Sequence, residues 1–154
     1  MAVKKQSINK RILAKALSFT LLLGSVYILS TKPFISFYRV SGSSCSPFYE
    51  NGDRFIATNW LQGEVGDFVL AMHCDETLIK MLAGKPGDVV KGDDYGFYCN
   101  NNLIWAGHSY HFEKKLEADE YFLLGPNYEV SMDSRIFGPV RSKDIIAKAV
   151  YTFR

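Results

Sequence analysis

A chain of 154 residues, 47% apolar and 22% charged, has room for one ordinary domain and a short appended element. That excludes a multidomain machine, a disordered chain and a highly charged nucleic-acid-binding tail. The formal net charge of +2 is unevenly spread: no acid precedes Glu50, Lys4, Lys5, Lys10, Arg11 and Lys15 crowd the start, and from Pro33 onward 12 basic residues face all 16 acidic ones. A basic head and a mildly acidic body suit two different environments.

In chain order, residues 1–15 form the basic head, 16–32 a predicted membrane-spanning segment and 33–154 the folded body. Ala16 to Thr31 is sixteen residues without a charge, and from Ile12 the apolar run reaches twenty if Lys15 snorkels back to the headgroups. With five positive charges before the run, the positive-inside rule places the N-terminus in the cytoplasm and the body outside, a single-pass topology in the lipid bilayer. A cleavable signal peptide shares the basic and apolar regions. However, ILSTKPFISFYRV is bulky or charged where a small-x-small cleavage site belongs. Pro33 ends the predicted helix, because it cannot continue the hydrogen-bond ladder and disfavours helix at Lys32.

The body reads as short strands: Phe37 to Ser41, Arg54 to Thr58, Asp67 to Met72, Thr77 to Ala83, Asp88 to Lys91, Tyr95 to Cys99, Leu103 to Trp105, Glu120 to Gly125 and Ala147 to Phe153. Asn51-Gly52, Gly63 to Gly66 and Pro86-Gly87 punctuate them. Only His111 to Ala118 carries helical spacing, in a short charged segment equally compatible with a loop. The predicted fold class is therefore mainly β, an N-terminal transmembrane helix followed by an antiparallel β domain.

Cys45, Cys74 and Cys99 allow three single pairings; an exported domain could join Cys74 to Cys99, and the sequence does not choose. No C-x-x-C or H-E-x-x-H motif accompanies His73, His108 and His111, so no metal site is expected. No G-x-S-x-G elbow nominates a triad serine, and the S-x-x-K match at Ser7 to Lys10 lies in the basic head.

Val40-Ser41-Gly42-Ser43-Ser44-Cys45-Ser46-Pro47 is different in kind. Small residues there place hydroxyls and backbone N–H groups together where a strand turns, as a serine nucleophile with an oxyanion hole requires. The same segment also reads as a plain Ser/Gly-rich turn. The candidate base is Lys80, the only charge in Thr77 to Ala83. In a strand it shares a face with Leu78 and Leu82, where desolvation would leave a neutral amine able to take a proton. An edge-strand lysine that discourages aggregation is the other reading.

Three segments in order settle the choice: V-x-G-x-S-x-x-P from Val40 with Gly52-Asp53 after it, K-x-x-x-G-x-P-G-D from Lys80 to Asp88, and Gly125-Pro126-Asn127 running into Ser131-x-Asp133-Ser134-Arg135-x-Phe137-Gly138-x-Val140. Together, behind an N-terminal anchor, they resemble the type I signal peptidase family, membrane-anchored serine proteases with a Ser-Lys dyad. The resemblance implies Ser44 as nucleophile and Lys80 as general base. It implies Ser131 as the hydroxyl that orients the lysine and Asp133 with Arg135 as a bracing ion pair. It also implies an oxyanion hole around Gly42, Ser43 and the Ser44 N–H, with glycine where many members carry a serine hydroxyl. Tyr38, Val40, Ser41, Cys45, Leu78 and Ile79 would hold an extended substrate with small side chains, by strand addition.

Cys45 stands for the usual methionine, Phe48 for a threonine, Met81 for an arginine and Pro126 for an aspartate. Pro126-Asn127 and Phe137 to Val140 look more like the conjugative-transfer branch, which matures pilin subunits, and the small body agrees. Ser44 lies thirteen residues past Thr31, at most about 43 to 47 Å of extended chain, which keeps the site near the membrane surface. The expected activity is a bacterial inner-membrane endopeptidase, catalytic domain periplasmic, that removes leaders from a preprotein or pilin precursor through an acyl-enzyme, with cyclisation open to the same intermediate. No cofactor, metal or nucleic acid is implied. A catalytically silent, anchored β module of a secretion apparatus is the alternative, and a soluble Ser-Lys self-cleaving repressor a third; the pairing of Ser44 with Lys80 and the anchor argue against each in turn.

Overall fold

The computed structural model describes residues 10–30, 35–107 and 111–153. Lys4, Lys5, Ser7, Lys32, Pro33 and His108, all invoked above, lie outside the described residues. The chain divides into two compact units, 1–33 and 34–154. The first contains α1 (Lys10–Ser30), 21 residues that expose Leu13, Leu17, Leu21 and Tyr27. Among the described residues no helix is long and apolar enough to cross a membrane.

The second unit is mainly β and antiparallel. Its larger sheet has seven strands in the order β1 (Ile35–Arg39), β2 (Arg54–Thr58), β11 (Ile145–Phe153), β3 (Phe68–His73), β4 (Glu76–Gly84), β9 (Glu120–Leu124) and β10 (Val140–Arg141). A smaller sheet runs β7 (Asn102–Ala106), β6 (Gly96–Cys99), β5 (Val89–Gly92) and β8 (Phe112–Lys115). Two hairpins turn on paired left-handed residues, Cys74-Asp75 (φ 48° and 64°) between β3 and β4, and Asn100-Asn101 (φ 50° and 64°) between β6 and β7. Positive φ at both central residues matches the right-handed twist of the flanking strands.

The segment with helical spacing, His111 to Ala118, is not a helix. Phe112 to Lys115 pair with β5, and Phe112 stacks on Phe122 with centroids 5.5 Å apart and meets Phe97 at 5.9 Å. Apolar residues at 112 and 116 satisfy a period of two as well as an i, i+4 helical step, and the open edge of β5 decides for strand. Leu116, just past β8, is buried with Met81, Ala83, Val90, Phe97, Phe122 and Leu124 in the core that joins the two sheets. Gly84 makes that junction possible: a Cβ there would lie 2.6 Å from Val90 Cγ1 and 2.8 Å from Leu116 Cδ1.

The open Cys74–Cys99 pairing is resolved against a bridge. All three cysteines are free thiols, Cys74 exposed on the β3–β4 turn and Cys99 buried on β6. His73 stacks on Phe137 at 4.0 Å, and the exposed His111 pairs with Asp94.

Phe97 is 1% exposed and touches two rings of the joining core. Phe97→Ala is expected to cost about 3–5 kcal/mol through lost burial and the cavity left behind, read from the denaturant midpoint at unchanged slope.

Candidate active site

The Ser44 turn is fixed from its own ends. Val40 N–H donates to Asp53 O at 2.8 Å and Gly52 N–H to Val40 O at 2.9 Å, closing the loop that leaves β1 and enters β2. Gly42 has φ +93°, a left-handed conformation that suits glycine, and its N–H donates to Asn51 Oδ1 at 3.1 Å. Cys45, 1% exposed, plugs the turn into the core; its carbonyl accepts the N–H groups of Phe48 and Tyr49. Ser44 is left half-buried at the apex.

Lys80 arrives from β4, where it lies opposite Val69 of β3. Its Nζ stands 2.5 Å from Ser44 Oγ, and the residue is 4% exposed. That burial rules out the edge-strand reading, since a lysine that repels other strands must reach water. Desolvation pushes the Lys80 amine below its ordinary pKa; the Cys45 sulfur and the Asp133 carboxylate pull the other way, and the Arg135 guanidinium adds to the lowering. Burial in turn pushes the Cys45 thiol up, so it stays protonated and donates to Ile79 O at 3.1 Å.

Behind Lys80, Asp133 is fully buried and accepts from five donors. They are Gly125 N–H at 2.8 Å, Ser131 Oγ at 2.7 Å, Arg135 N–H at 3.1 Å, Arg135 Nε at 2.9 Å and Arg135 Nη2 at 2.6 Å. Asp133 is also the N-cap of α2 (Ser134–Phe137). Arg135 Nη2 reaches on to Gly125 O at 3.1 Å. Ser131 thus commits its proton to Asp133, and only its oxygen lone pairs remain for the lysine amine that the resemblance assigns to it.

A cleft of about 220 Å³ opens beside Ser44 and Lys80, lined among others by Tyr38, Arg39, Val40 and Ser41 on one side and Thr77, Leu78 and Ile79 on the other. Five of the six residues expected to hold substrate are in its lining; Cys45 is not, because it is buried beneath with its thiol on Ile79 O. Glu76 to Lys80 pair with β3 alone, since β9 joins β4 only from Met81. Among the described residues the Ser44 N–H meets no protein acceptor, while Gly42 N–H is already engaged and Ser43 is exposed. No cluster of three or more His, Cys, Asp or Glu side chains able to hold a metal occurs among the described residues.

Sequence reasoning places Gly125 and Asn127 within a motif but gives them no role. Asn127 N–H donates to Ser44 O at 3.1 Å and its Nδ2 to Ser43 O at 3.1 Å. A Cβ on Gly125 would lie 1.9 Å from Ser131 Oγ and 2.8 Å from Ser44 O. The short Gly125-x-Asn127 spacing in front of Ser131 is the only signal. Gly125→Ala is therefore expected to displace Ser44 and Ser131, and to slow labelling of Ser44 by a serine-directed fluorophosphonate by about a hundredfold or more, the usual cost of misplacing a reacting group by an ångström.

Comparison with known proteins gives the family. The family model described as signal peptidase, peptidase S26, matches residues 12–153. Signal peptidase I V of Bacillus subtilis is 27% identical over 134 aligned positions, covering 71% of this chain and 80% of that one. Signal peptidase IB of Staphylococcus aureus strain COL is 26% identical over 179 positions, covering 97% and 91%. The crystal structure of a signal peptidase I from Enterococcus faecalis V583 superposes with a TM-score of 0.49 at 21% identity, covering 57% of this chain and 97% of that one. With the family model matching residues 12–153, nearly its whole length, the chain belongs to the signal peptidase, peptidase S26, family.

Proposed function

We propose that this protein is a serine endopeptidase with a Ser44-Lys80 dyad that removes leader peptides from exported proteins. The observation that carries the reading is the buried Lys80 amine 2.5 Å from Ser44 Oγ. A lysine whose charged form is disfavoured by burial accepts the hydroxyl proton, and Ser44 Oγ attacks the scissile carbonyl carbon. The Ser44 N–H stabilises the oxyanion. As the C–N bond breaks, the Lys80 ammonium returns its proton to the departing amine, leaving an ester on Ser44. Water, deprotonated by the same amine, then releases the acyl group.

The substrate binds as an extended strand along the open edge of Thr77 to Lys80, facing Tyr38 to Ser41, so that main-chain bonds give affinity and the cleft selects small side chains. Pro126-Asn127 and Phe137 to Val140 support a conjugative pilin precursor as substrate. An amine of the pilin in place of water would give a cyclised product. The proposed membrane anchor rests on the uncharged run from residue 16 to 31 behind the basic head and on the apolar side chains that α1 exposes, not on the length or hydropathy of α1. The N-terminus is then cytoplasmic and the β domain outside.

The test is cleavage of a membrane-embedded pilin precursor by wild type, Ser44→Ala and Lys80→Ala, with product masses read by mass spectrometry. Trimming by wild type and a loss of at least about 10³-fold in both folded variants is expected. A product lighter than the linear chain by one water identifies cyclisation, and EDTA leaves the rate unchanged. Equal behaviour of all three proteins would make this a binding module.

The pH dependence follows from Lys80. Its neutral amine is the working form, so kcat/KM rises with pH through an inflection below the ordinary lysine pKa of about 10.4. The unfolded chain binds more protons than the native one between the two values, so stability also rises with pH across that window and is lost as pH falls through the native value. Lys80→Met is expected to abolish cleavage and to remove this slope from the unfolding free energy measured between neutral and alkaline pH.

A further inference from the structure

The Ser43–Ser44 peptide carries the oxyanion donor in the reading above, on which the following inference rests. Its N–H end is Ser44 N–H, free of protein acceptors among the described residues; its C=O end, on Ser43, accepts from Ser46 N–H at 3.1 Å and from Asn127 Nδ2 at 3.1 Å. Asn127 belongs to a different segment, 84 residues along the chain, and its own N–H holds the next carbonyl, Ser44 O, at 3.1 Å. Only the amide NH2 can face a carbonyl oxygen, which fixes the orientation of this side chain.

The two ends of a peptide are one planar, conjugated group. A donor on the oxygen therefore fixes the plane in which the N–H points, and draws electron density away from nitrogen, making that N–H a stronger donor. This matters more here than where a side-chain hydroxyl shares the task. Position 42 is glycine and offers no hydroxyl, and its N–H is held by Asn51 Oδ1. The developing charge falls on one backbone N–H, whose aim and strength depend on what holds the far end of its peptide.

We propose that Asn127 is a positioning residue of the oxyanion hole, which orients and polarises the Ser43–Ser44 peptide through its side-chain amide and so strengthens Ser44 N–H toward the tetrahedral intermediate. It touches neither substrate nor the lysine. Its removal accordingly lowers transition-state stabilisation without altering ground-state binding or the titration of the base.

The experiment uses the full-length protein in detergent, a quenched-fluorescence peptide with Ala-x-Ala before the scissile bond, and the variants Asn127→Ala and Asn127→Asp. Both keep the backbone bond to Ser44 O. A carboxylate is nearly isosteric with the amide but acceptor-only, so N127D guards against a packing effect of N127A. Expected is a fall in kcat of about ten- to a hundredfold for N127A, less than deletion of a direct oxyanion donor, and a larger fall for N127D, whose carboxylate opposes the Ser43 carbonyl. KM stays within about twofold and the pH inflection of kcat/KM does not move. An unchanged kcat in either folded variant overturns the proposal. So does a change confined to KM, which would make Asn127 a substrate contact, or a shifted inflection, which would route its effect through Lys80. A wild type that cleaves nothing overturns the peptidase reading and this inference together; an active wild type matched by its variants overturns this inference alone.

Discussion

An amine that, in the proposed mechanism, has to give up its charge inside a folded protein constrains everything around it. Lys80 is almost wholly buried, and desolvation is the leading reason its pKa falls. A lone carboxylate in contact range would undo that by favouring the ammonium form. The Asp133 carboxylate pulls in that direction, but it is not alone: Arg135 lies across it with two side-chain bonds, at 2.9 and 2.6 Å. The guanidinium opposes the field of the carboxylate at Lys80, leaving burial in control. The pair is nearly inaccessible itself, so its own desolvation is compensated only because the geometry is bidentate and the remaining lone pairs are filled.

A charge that has to be masked is present because of its capacity as an acceptor. Five donors converge on Asp133, and they come from the end of β9, the loop beyond it and the first turn of α2. No neutral side chain accepts so many bonds with two oxygens. The loop from Gly125 to Asp133 is thereby drawn into a compact knot whose outer face meets the Ser44 turn, through Asn127 on two consecutive carbonyls. Gly125 has to lack a side chain because Ser131 and the Ser44 carbonyl both occupy the space a Cβ would take. The segments that carry Ser44, Lys80 and Asp133, the proposed nucleophile, base and brace, thus cannot move independently.

Much of this is legible in the chain before its fold is known, and the failures have physical causes. Ser44 and Lys80 stand out because a hydroxyl in a small-residue turn and one charge in an apolar strand are each locally odd. The strands from Arg54 to Thr58 and from Glu120 to Leu124 are visible through β-branched and aromatic residues between turn signals. Phe112 to Lys115 misleads because apolar residues four apart fit both periods, and only the partner strand β5 distinguishes them. The two-residue β10 and the four-residue α2 are too short to show any period. Cys45 is expected in the cleft from its neighbour's role, but adjacent residues in a tight turn point in different directions, and its thiol goes to Ile79 O instead. Asn127 acts on Ser43 and Ser44, more than eighty positions away, and Gly125 through the space it leaves empty, so their motif spacing marks the two residues without revealing what they do.

The division of β4 into two halves ties these observations to the proposed catalysis. Its second half, Met81 to Gly84, pairs with β9 on one side, while on the other Met81 pairs with Phe68 and Leu82 bonds Gly66 and Asp67; Met81 and Ala83 are buried in the core that joins the sheets and Leu82 in the core of the larger sheet. Its first half pairs on one side only, and there it carries Lys80 and the cleft residues Thr77 to Ile79. A strand held rigidly at one end and open along the other offers main-chain groups to a peptide without giving up the position of its base. Because Lys80 follows directly on the residues that line the cleft, the register of a peptide added to this edge also sets the distance between its carbonyl and the dyad. In the proposed mechanism one strand therefore couples recognition to chemistry, and the Cys45 thiol on Ile79 O links the Ser44 turn to that same register.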